Sequence, residues 1–270
     1  MRGTSRASLQ AARYRFEPVL AAAGVQALTL GEELFALVDA LDSSASLRRT
    51  LTDPSVDADA KGALAARLLT AADPRTVELV RDLVGSRWST DGDLGDAAEE
   101  LGFHAVLASA ENDGGLQKVE EELFRITRAL AGQRELRRGL YEPRLHAAGR
   151  VALVDRLLGG QGMAATQVVA RRAAAAPRGR RYVATLGYVG DLVADRRSRQ
   201  VATVTSATDL SPAQRDRLLE VLAATYGRAI QLNVIVAADV IGGLRVQVGP
   251  DVIDSTVFAR LADARRQLAS

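Results

Sequence analysis

The chain has 270 residues, 47% of them hydrophobic, and a formal net charge of only +2 from 35 basic and 33 acidic side chains. That is enough apolar material for a buried core and enough length for two or three domains. There is no cysteine, so disulfides, thiolate metal centres, iron–sulfur clusters and cysteine nucleophiles are excluded, and a reducing cytoplasm is the natural compartment.

The first fifteen residues carry Arg2, Arg6, Arg13 and Arg15 without the apolar run of a signal peptide. No stretch reads as the run of about 20 apolar residues that crosses a bilayer. Apolar residues recur at helical spacing from the start: Leu9, Ala12, Phe16, Val19 and Leu20, then Leu34, Phe35, Leu37, Val38 and Leu41. Asp53-Pro54, Asp73-Pro74 and the stretch 89–93 interrupt this pattern. Asp73 suits a helix N-cap followed by proline at the first helical position.

A repeat organises the first two thirds. Shifted by 89 positions, Glu32-Glu33-Leu34-Phe35 falls on Glu121-Glu122-Leu123-Phe124, Leu47-Arg48-Arg49 on Leu136-Arg137-Arg138, Pro54 on Pro143, and Arg67-Leu68-Leu69 on Arg156-Leu157-Leu158. There are 17 identities in the 39 positions from Gly31 to Leu69, too many for shared amphipathicity, so the segment reads as a duplication. After one inserted residue Thr76 and Arg81 pair with Thr166 and Arg171. The copies span residues 1–110 and 102–196, with 97–110 serving as last helix of one and first helix of the other. Charge follows these boundaries: 1–110 holds 11 basic and 16 acidic side chains, 111–196 holds 15 and 10, and the remainder 9 and 7. Two similar bundles of opposite sign meet different partners or each other.

From about Arg199 the period changes to two. Val201, Thr203 and Thr205 alternate with their neighbours, as do Leu232, Val234 and Val236, and then Leu244, Val246 and Val248, which predicts three strands. Between the first two, Ser211-Pro212-Ala213-Gln214 is a capping box that opens a helix closed by Gly227. A last helix is expected over 256–268. The predicted fold is mainly α with a C-terminal α+β domain: two tandem six-helix bundles, then a small sheet with helices over 197–270.

Catalytic chemistry is not legible. His104 and His146 lack the partner spacing of a metal site, and the glycine pairs Gly114-Gly115, Gly159-Gly160 and Gly242-Gly243 lack the following Lys-Ser or Lys-Thr of a phosphate loop. Glu32-Glu33, Glu99-Glu100 and the run Glu120–Glu122 read as solvated helix faces. Arg171, Arg172, Arg178, Arg180 and Arg181 form the notable basic cluster, but only Tyr182 is interleaved with it. An acidic protein helix suits such a patch better than nucleic acid does.

The stretch Leu232–Val257 carries an apolar strand, an Ile241-Gly242-Gly243-Leu244 turn, a second strand ending at Gly249, then Val252-Ile253-Asp254 and a helix with Arg260-Leu261. It resembles the C-terminal signature of the delta subunits of F-type ATP synthases, the oligomycin-sensitivity-conferring protein family. Val204–Ser211, the Tyr226-Gly227 helix end and Leu116–Leu123 are similar to that family too. Ser255 stands where the family usually has glycine, and neither copy carries the family's Tyr-Ala-Lys-Ala motif, Ser8 and Gly102 occupying the tyrosine's place. The doubled bundle resembles the long actinobacterial form.

The resemblance implies a stator subunit without catalytic residues, metal or cofactor. Its partners would be the alpha subunits of the catalytic head, gripped by N-terminal helices, and the b subunits of the peripheral stalk, with no nucleic acid. It would sit at the cytoplasmic face of the plasma membrane and touch the membrane only through the complex. The implied groove lies between the first and fifth helices of a bundle: Leu9, Ala12 and Phe16 with Leu79, Val80 and Leu83 in copy one, Val106 and Leu107 with Val168 and Val169 in copy two. Gly242, Gly243, Gly249 and Asp254 are the structural motif of the C-terminal domain, the glycines permitting positive φ or close backbone approach. The alternatives are a helical-repeat scaffold unrelated to energy conversion, or a nucleic-acid-binding regulator using residues 178–181.

Overall fold

The computed structural model describes residues 1, 3–140, 146–199, 201–226, 230–237, 240, 242–249 and 251–255. The chain divides into two compact units, residues 1–193 and 194–270. The first is built from α1 (Gly3–Ala23), α2 (Ala27–Ser43), α3 (Ala45–Thr52), α4 (Ala58–Leu68), α5 (Pro74–Gly85), α6 (Asp91–Asn112), α7 (Leu116–Leu130), α8 (Arg134–Gly139), α9 (Ala147–Leu158), α10 (Ala164–Ala175) and α11 (Tyr182–Arg199), whose last turns cross the boundary.

The repeat is visible element by element. Moving α1 to α4 by 89 positions superposes their ranges on α6 to α9, and α5 falls on α10 after one inserted residue. Helix α6 is therefore both the last helix of bundle one and the first of bundle two. Its two faces enter different cores: Leu94, Ala98, Leu101 and Ala105 join Leu20, Leu34, Leu41 and Leu83, whereas Phe103, Val106 and Leu107 join Leu123, Leu140, Val169 and Val189. Sixteen of its 22 residues are buried.

The recurrence of Glu33 and Thr76 in the second copy has a physical reason. In bundle one the Glu33 carboxylate accepts from the Asp73 amide at 2.9 Å and the Thr76 hydroxyl at 2.5 Å. In bundle two Glu122 accepts from the Met163 amide at 2.9 Å and the Thr166 hydroxyl at 2.6 Å. Each carboxylate thus sits at the N-terminus of the fifth helix, where unpaired amides and the helix dipole favour negative charge. Asp73 caps α5 as its position before Pro74 predicts, accepting from the Arg75 amide. The expectation of solvated carboxylates fails for Glu99 and Glu122, both buried.

Helices α2 and α6 cross closely because glycine stands on both. A Cβ on Gly31 would lie 2.7 Å from Val106 Cγ2 and 2.8 Å from the Gly102 carbonyl oxygen, and one on Gly102 would lie 2.6 Å from the Phe35 ring. Gly102 is thus the floor on which Phe35 rests. The helical run Gly3–Ser43 contains one 18-residue window long and apolar enough to cross a bilayer by length and composition alone, which the sequence reading did not expect. Its apolar side chains, Leu30, Leu34, Leu37, Val38 and Leu41 among them, fill the core of bundle one.

The C-terminal unit contains β1 (Val201–Ser206), α12 (Pro212–Tyr226), β2 (Gln231–Val236), β3 (Leu244–Val248) and β4 (Asp251–Asp254) in a sheet of order β2-β1-β3-β4. β1 runs parallel to β2, with Val204 beside Val234, and antiparallel to β3, with Val204 beside Val246; β3 pairs antiparallel with β4. The capping box forms: the Ser211 amide donates to Gln214 and the Gln214 amide to the Ser211 hydroxyl. Sequence periodicity predicts three strands and the sheet has four among the described residues, because β4 has four residues and no buried face to impose alternation. Gly242 and Gly243 take φ of 62° and 91° ahead of β3, and Gly249 takes 58° between β3 and β4, a region that side chains with a Cβ disfavour. Ser255, following Asp254, ties back to β3: its hydroxyl donates to the Leu244 carbonyl at 2.8 Å and accepts from the Leu244 amide at 3.2 Å. The helix end at Gly227 and the last helix expected over 256–268 lie outside the described residues.

Candidate partner-binding site

The structure brings the first and fifth helices of each bundle together, α1 against α5 and α6 against α10. Leu9, Ala12 and Phe16 meet Leu79, Val80 and Leu83 in this seam, and all six are buried. Val106, Leu107 and Val169 are likewise buried in the core of bundle two, while Val168 is half-exposed beside them. In this conformation the seams are filled by their own side chains rather than open. An apolar stripe at helical spacing specifies a core as readily as a groove, which is why the sequence cannot separate the two. At the rim of the first seam Arg15 bridges α1 and α5, donating to Asp82 at 2.5 Å and 2.9 Å. Tyr14 beside it is 84% exposed.

The opposite charges of the two bundles meet each other. Arg172 on α10 donates to Asp39 on α2 at 2.6 Å and lies 4.9 Å from the centre of the Phe35 ring. Arg178 donates to Asp42 and Asp96, both at 2.7 Å. Glu99, buried on α6, lies 3.7 Å from Arg172 and 3.8 Å from Arg178 and accepts a hydrogen bond from Arg180. Tyr188 donates to Glu100 at 2.8 Å under the Arg180 guanidinium; burial, then the neighbouring Glu100 carboxylate, pushes its phenol above the ordinary range. For Arg178, burial disfavours the charge, but Asp96, Glu99 and Asp42 outweigh it and its pKa rises. A buried carboxylate facing several guanidiniums satisfies the requirement that buried charge be paired.

This network engages three of the five arginines in the basic cluster, and Arg171 pairs with Asp155 at 2.6 Å. The patch on which a nucleic-acid reading rests is therefore the glue between the bundles. Sequence reading left open whether the opposite signs meet each other or different partners, and it missed Asp39, Asp42 and Asp96. The charge asymmetry between copies was the available signal. His104 is buried within α6 and His146 stands exposed before α9. Among the described residues no His, Asp and Glu cluster suits a metal ion.

Residues 104–268 match the family described as ATP synthase delta (OSCP) subunit. The match begins within α6 and covers bundle two and the C-terminal unit, so it leaves the first copy aside. Relatives cover that copy too. The chain is 52% identical over 270 residues to the ATP synthase subunit delta of Beutenbergia cavernae, with all of both chains covered. It is 44% identical to that of Kineococcus radiotolerans, over 99% of this chain and 97% of the relative, and 40% identical to that of Thermobifida fusca, with full coverage of both. A family match across more than half of the chain, with full-length relatives well above 30% identity, places this protein in the ATP synthase delta (OSCP) subunit family.

Proposed function

We propose that the chain is a non-catalytic stator subunit of an F-type ATP synthase, joining the alpha subunits of the catalytic head to the b subunits of the peripheral stalk so that rotor torque is coupled to ATP synthesis. The observation that carries this reading is the full-length likeness to proteins named ATP synthase subunit delta. The architecture suits it: separate cores joined in one chain let several moderate interfaces act together against torque. The C-terminal unit offers apolar side chains for the stalk at both sheet edges, Ile235 and Val236 on β2 and Val252 and Ile253 on β4, all roughly half exposed. Head binding falls to bundle two, because it runs directly into the C-terminal unit and because the family match begins there. Bundle one is then the brace. The protein works at the cytoplasmic face of the plasma membrane, reaching the membrane through the complex.

The test is a titration of the full-length chain with a peptide of the alpha-subunit N-terminus, read by hydrogen exchange. Saturable binding with new protection in α6 and α10 is expected. Protection confined to α1 and α5 reverses the assignment of the bundles, and no binding to either overturns head attachment.

A further inference from the structure

The duplication supplies an internal comparison between the last helices of the two bundles. Bundle one neutralises the start of its last helix, α6, from within: the Thr90 amide donates to the Asp93 carboxylate at 3.2 Å, and Arg48 on α3 lies 3.8 Å from Asp91. Bundle two ends on α11, which opens at Tyr182 with no acidic residue in its first turn. Immediately before it stands Arg181, the arginine of the basic cluster that is not engaged in the pairs described above.

Helix α8 is the counterpart of α3, and its Arg137 stands where copy one has Arg48. Instead of meeting an aspartate, Arg137 shares a pocket of about 640 Å³ with Arg134, Arg138 and Arg181. The described lining of this pocket holds no carboxylate, and Glu135, the acidic residue of α8, is not part of it. Arg134, Arg137 and Arg181 are exposed and have no carboxylate partner among the described residues. Cations gathered around one cavity repel one another until an anion enters it.

The rest of the described lining is the first turn of α11: Tyr182, Val183 and Ala184. The Thr185 amide closes that turn on the Arg181 carbonyl at 3.0 Å, and the three amides ahead of it have no acceptor among the described residues. Unpaired amides at a helix start favour an anion. Tyr182 is only 4% exposed, and its phenol has no hydrogen-bond partner among the described residues. Burial pushes that phenol above the ordinary range, so it stays a hydroxyl able to donate.

We propose that the pocket between α8 and the start of α11 binds a phosphorylated small molecule, whose phosphate takes the part that Asp91 and Asp93 play in bundle one. A single carboxylate would leave most of the positive charge uncompensated, whereas a phosphate group brings about two negative charges and oxygens that guanidiniums grip in pairs. The pocket has the volume of a small-molecule site, with room for an organic remainder against Tyr182, Val183 and Ala184. The phosphate belongs to a soluble compound or to a lipid headgroup, and the experiment separates these sources.

The test titrates the full-length chain with pyrophosphate by calorimetry, with acetate at equal ionic strength for comparison, and follows the amide resonances of residues 182–184. Saturable binding of pyrophosphate at least tenfold tighter than that of acetate, with shifts centred on those amides, is expected. Arg137→Gln and Arg181→Gln should each weaken it tenfold or more, while Arg67→Gln, exposed on α4, leaves it unchanged. Arg181→Asp rebuilds the counter-charge of copy one. It should abolish binding while the unliganded chain melts no lower than the native one, which separates loss of the site from loss of the fold. A second arm uses flotation with phosphatidylcholine vesicles, plain or carrying phosphatidic acid. Co-flotation with the phosphatidic acid vesicles that Arg181→Asp abolishes assigns a lipid headgroup; pyrophosphate binding without co-flotation assigns a soluble compound. No binding in either arm, or binding that Arg137→Gln and Arg181→Gln do not alter, overturns the proposal. So does a glutamate-rich peptide that displaces pyrophosphate at lower concentration, which assigns the pocket to a protein partner. The titration needs neither head nor stalk, so failure of the stator reading and failure of this site are separate results.

Discussion

The crossing of α2 and α6 holds the bundles in register, and a single methyl group at its closest point tests that. In Gly31→Ala the new Cβ would stand 2.8 Å from the Gly102 carbonyl oxygen and 3.1 Å from the Val106 amide nitrogen as well as 2.7 Å from Val106 Cγ2. Two of those three atoms are backbone, so no rotamer change relieves the contact and the helices must part. Overpacking of this kind costs about 1–3 kcal/mol, against which alanine recovers up to about 1 kcal/mol of helix propensity. With that recovery the net expectation is a loss of up to about 2 kcal/mol, or up to roughly 8 °C in melting temperature at about 2–4 °C per kcal/mol for a unit this size. Gly102→Ala should lose a similar amount by displacing the Phe35 ring. Gly187→Ala is the control: nothing lies within 4 Å of its Cβ position on α11, so the same substitution should stabilise by up to about 1 kcal/mol. Urea and thermal unfolding of the three variants measure the contrast. Gly31→Ala as stable as Gly187→Ala would refute the close-packed crossing.

Glu122→Leu should destabilise by about 1–3 kcal/mol, since the Met163 amide and Thr166 hydroxyl lose their acceptor; urea midpoints check this, and an unchanged midpoint would contradict the capping role. Asp73, held down to about 2 by its hydrogen bonds from the Arg75 side chain and amide, contributes stability that is full above the ordinary carboxylate value near 3.8 and is lost as pH falls towards 2. Asp73→Ala should therefore cost about 1 kcal/mol at neutral pH, and the gap to the native chain should close between pH 4 and pH 2; a gap that widens there refutes the assignment. Gly243→Val forces a branched side chain to a φ of 91° and should unfold the C-terminal unit while most helical circular dichroism survives, because that unit has its own core. Complete loss of the helical signal would show that the units do not fold separately.

Much of this architecture was legible in the sequence. Asp73-Pro74 marked a helix start, and period-two alternation marked β1 to β3. What stayed hidden was relational. Leu79 and Val80 carry the same spacing whether they line a groove or fill a seam, and only the packing of α1 against α5 decides between these. Glu122 looks like any charge on a helix until the loop before α10 delivers the Met163 amide to it, although its pairing with Glu33, beside the pairing of Thr166 with Thr76, was a usable sign. Gly31 and Gly102 read as weak helix formers, because a glycine's role in a helix crossing depends on the atoms of the other helix. Phe35 and Phe124 occupy equivalent places in the repeat, yet Phe35 is buried in the core of bundle two and Phe124 is exposed, a difference set by what packs on each helix.

Helix α6 decides how the division of labour between the bundles can be tested. Cutting the chain at Gly92 keeps α6 but removes everything packed on its first face, uncovering Leu94, Ala98, Leu101 and Ala105. The two leucines alone forfeit about 3–6 kcal/mol of burial, a large share of the roughly 5–15 kcal/mol that holds a typical domain together. Bundle two also loses the Phe35 ring from its core, and Arg172 and Arg178 lose Asp39 and Asp42. A chain starting at Gly92 is therefore expected to melt well below the full-length protein, without a sharp transition, and to bind a dye specific for exposed apolar surface. Failure of such a fragment to bind the catalytic head would then say nothing about which bundle grips it, so the assignment has to be made within the intact chain. Calorimetry of the fragment separates the two cases: a cooperative transition within a few degrees of the full-length midpoint would mean that the shared helix does not need its first face covered, and that the two bundles are separable after all.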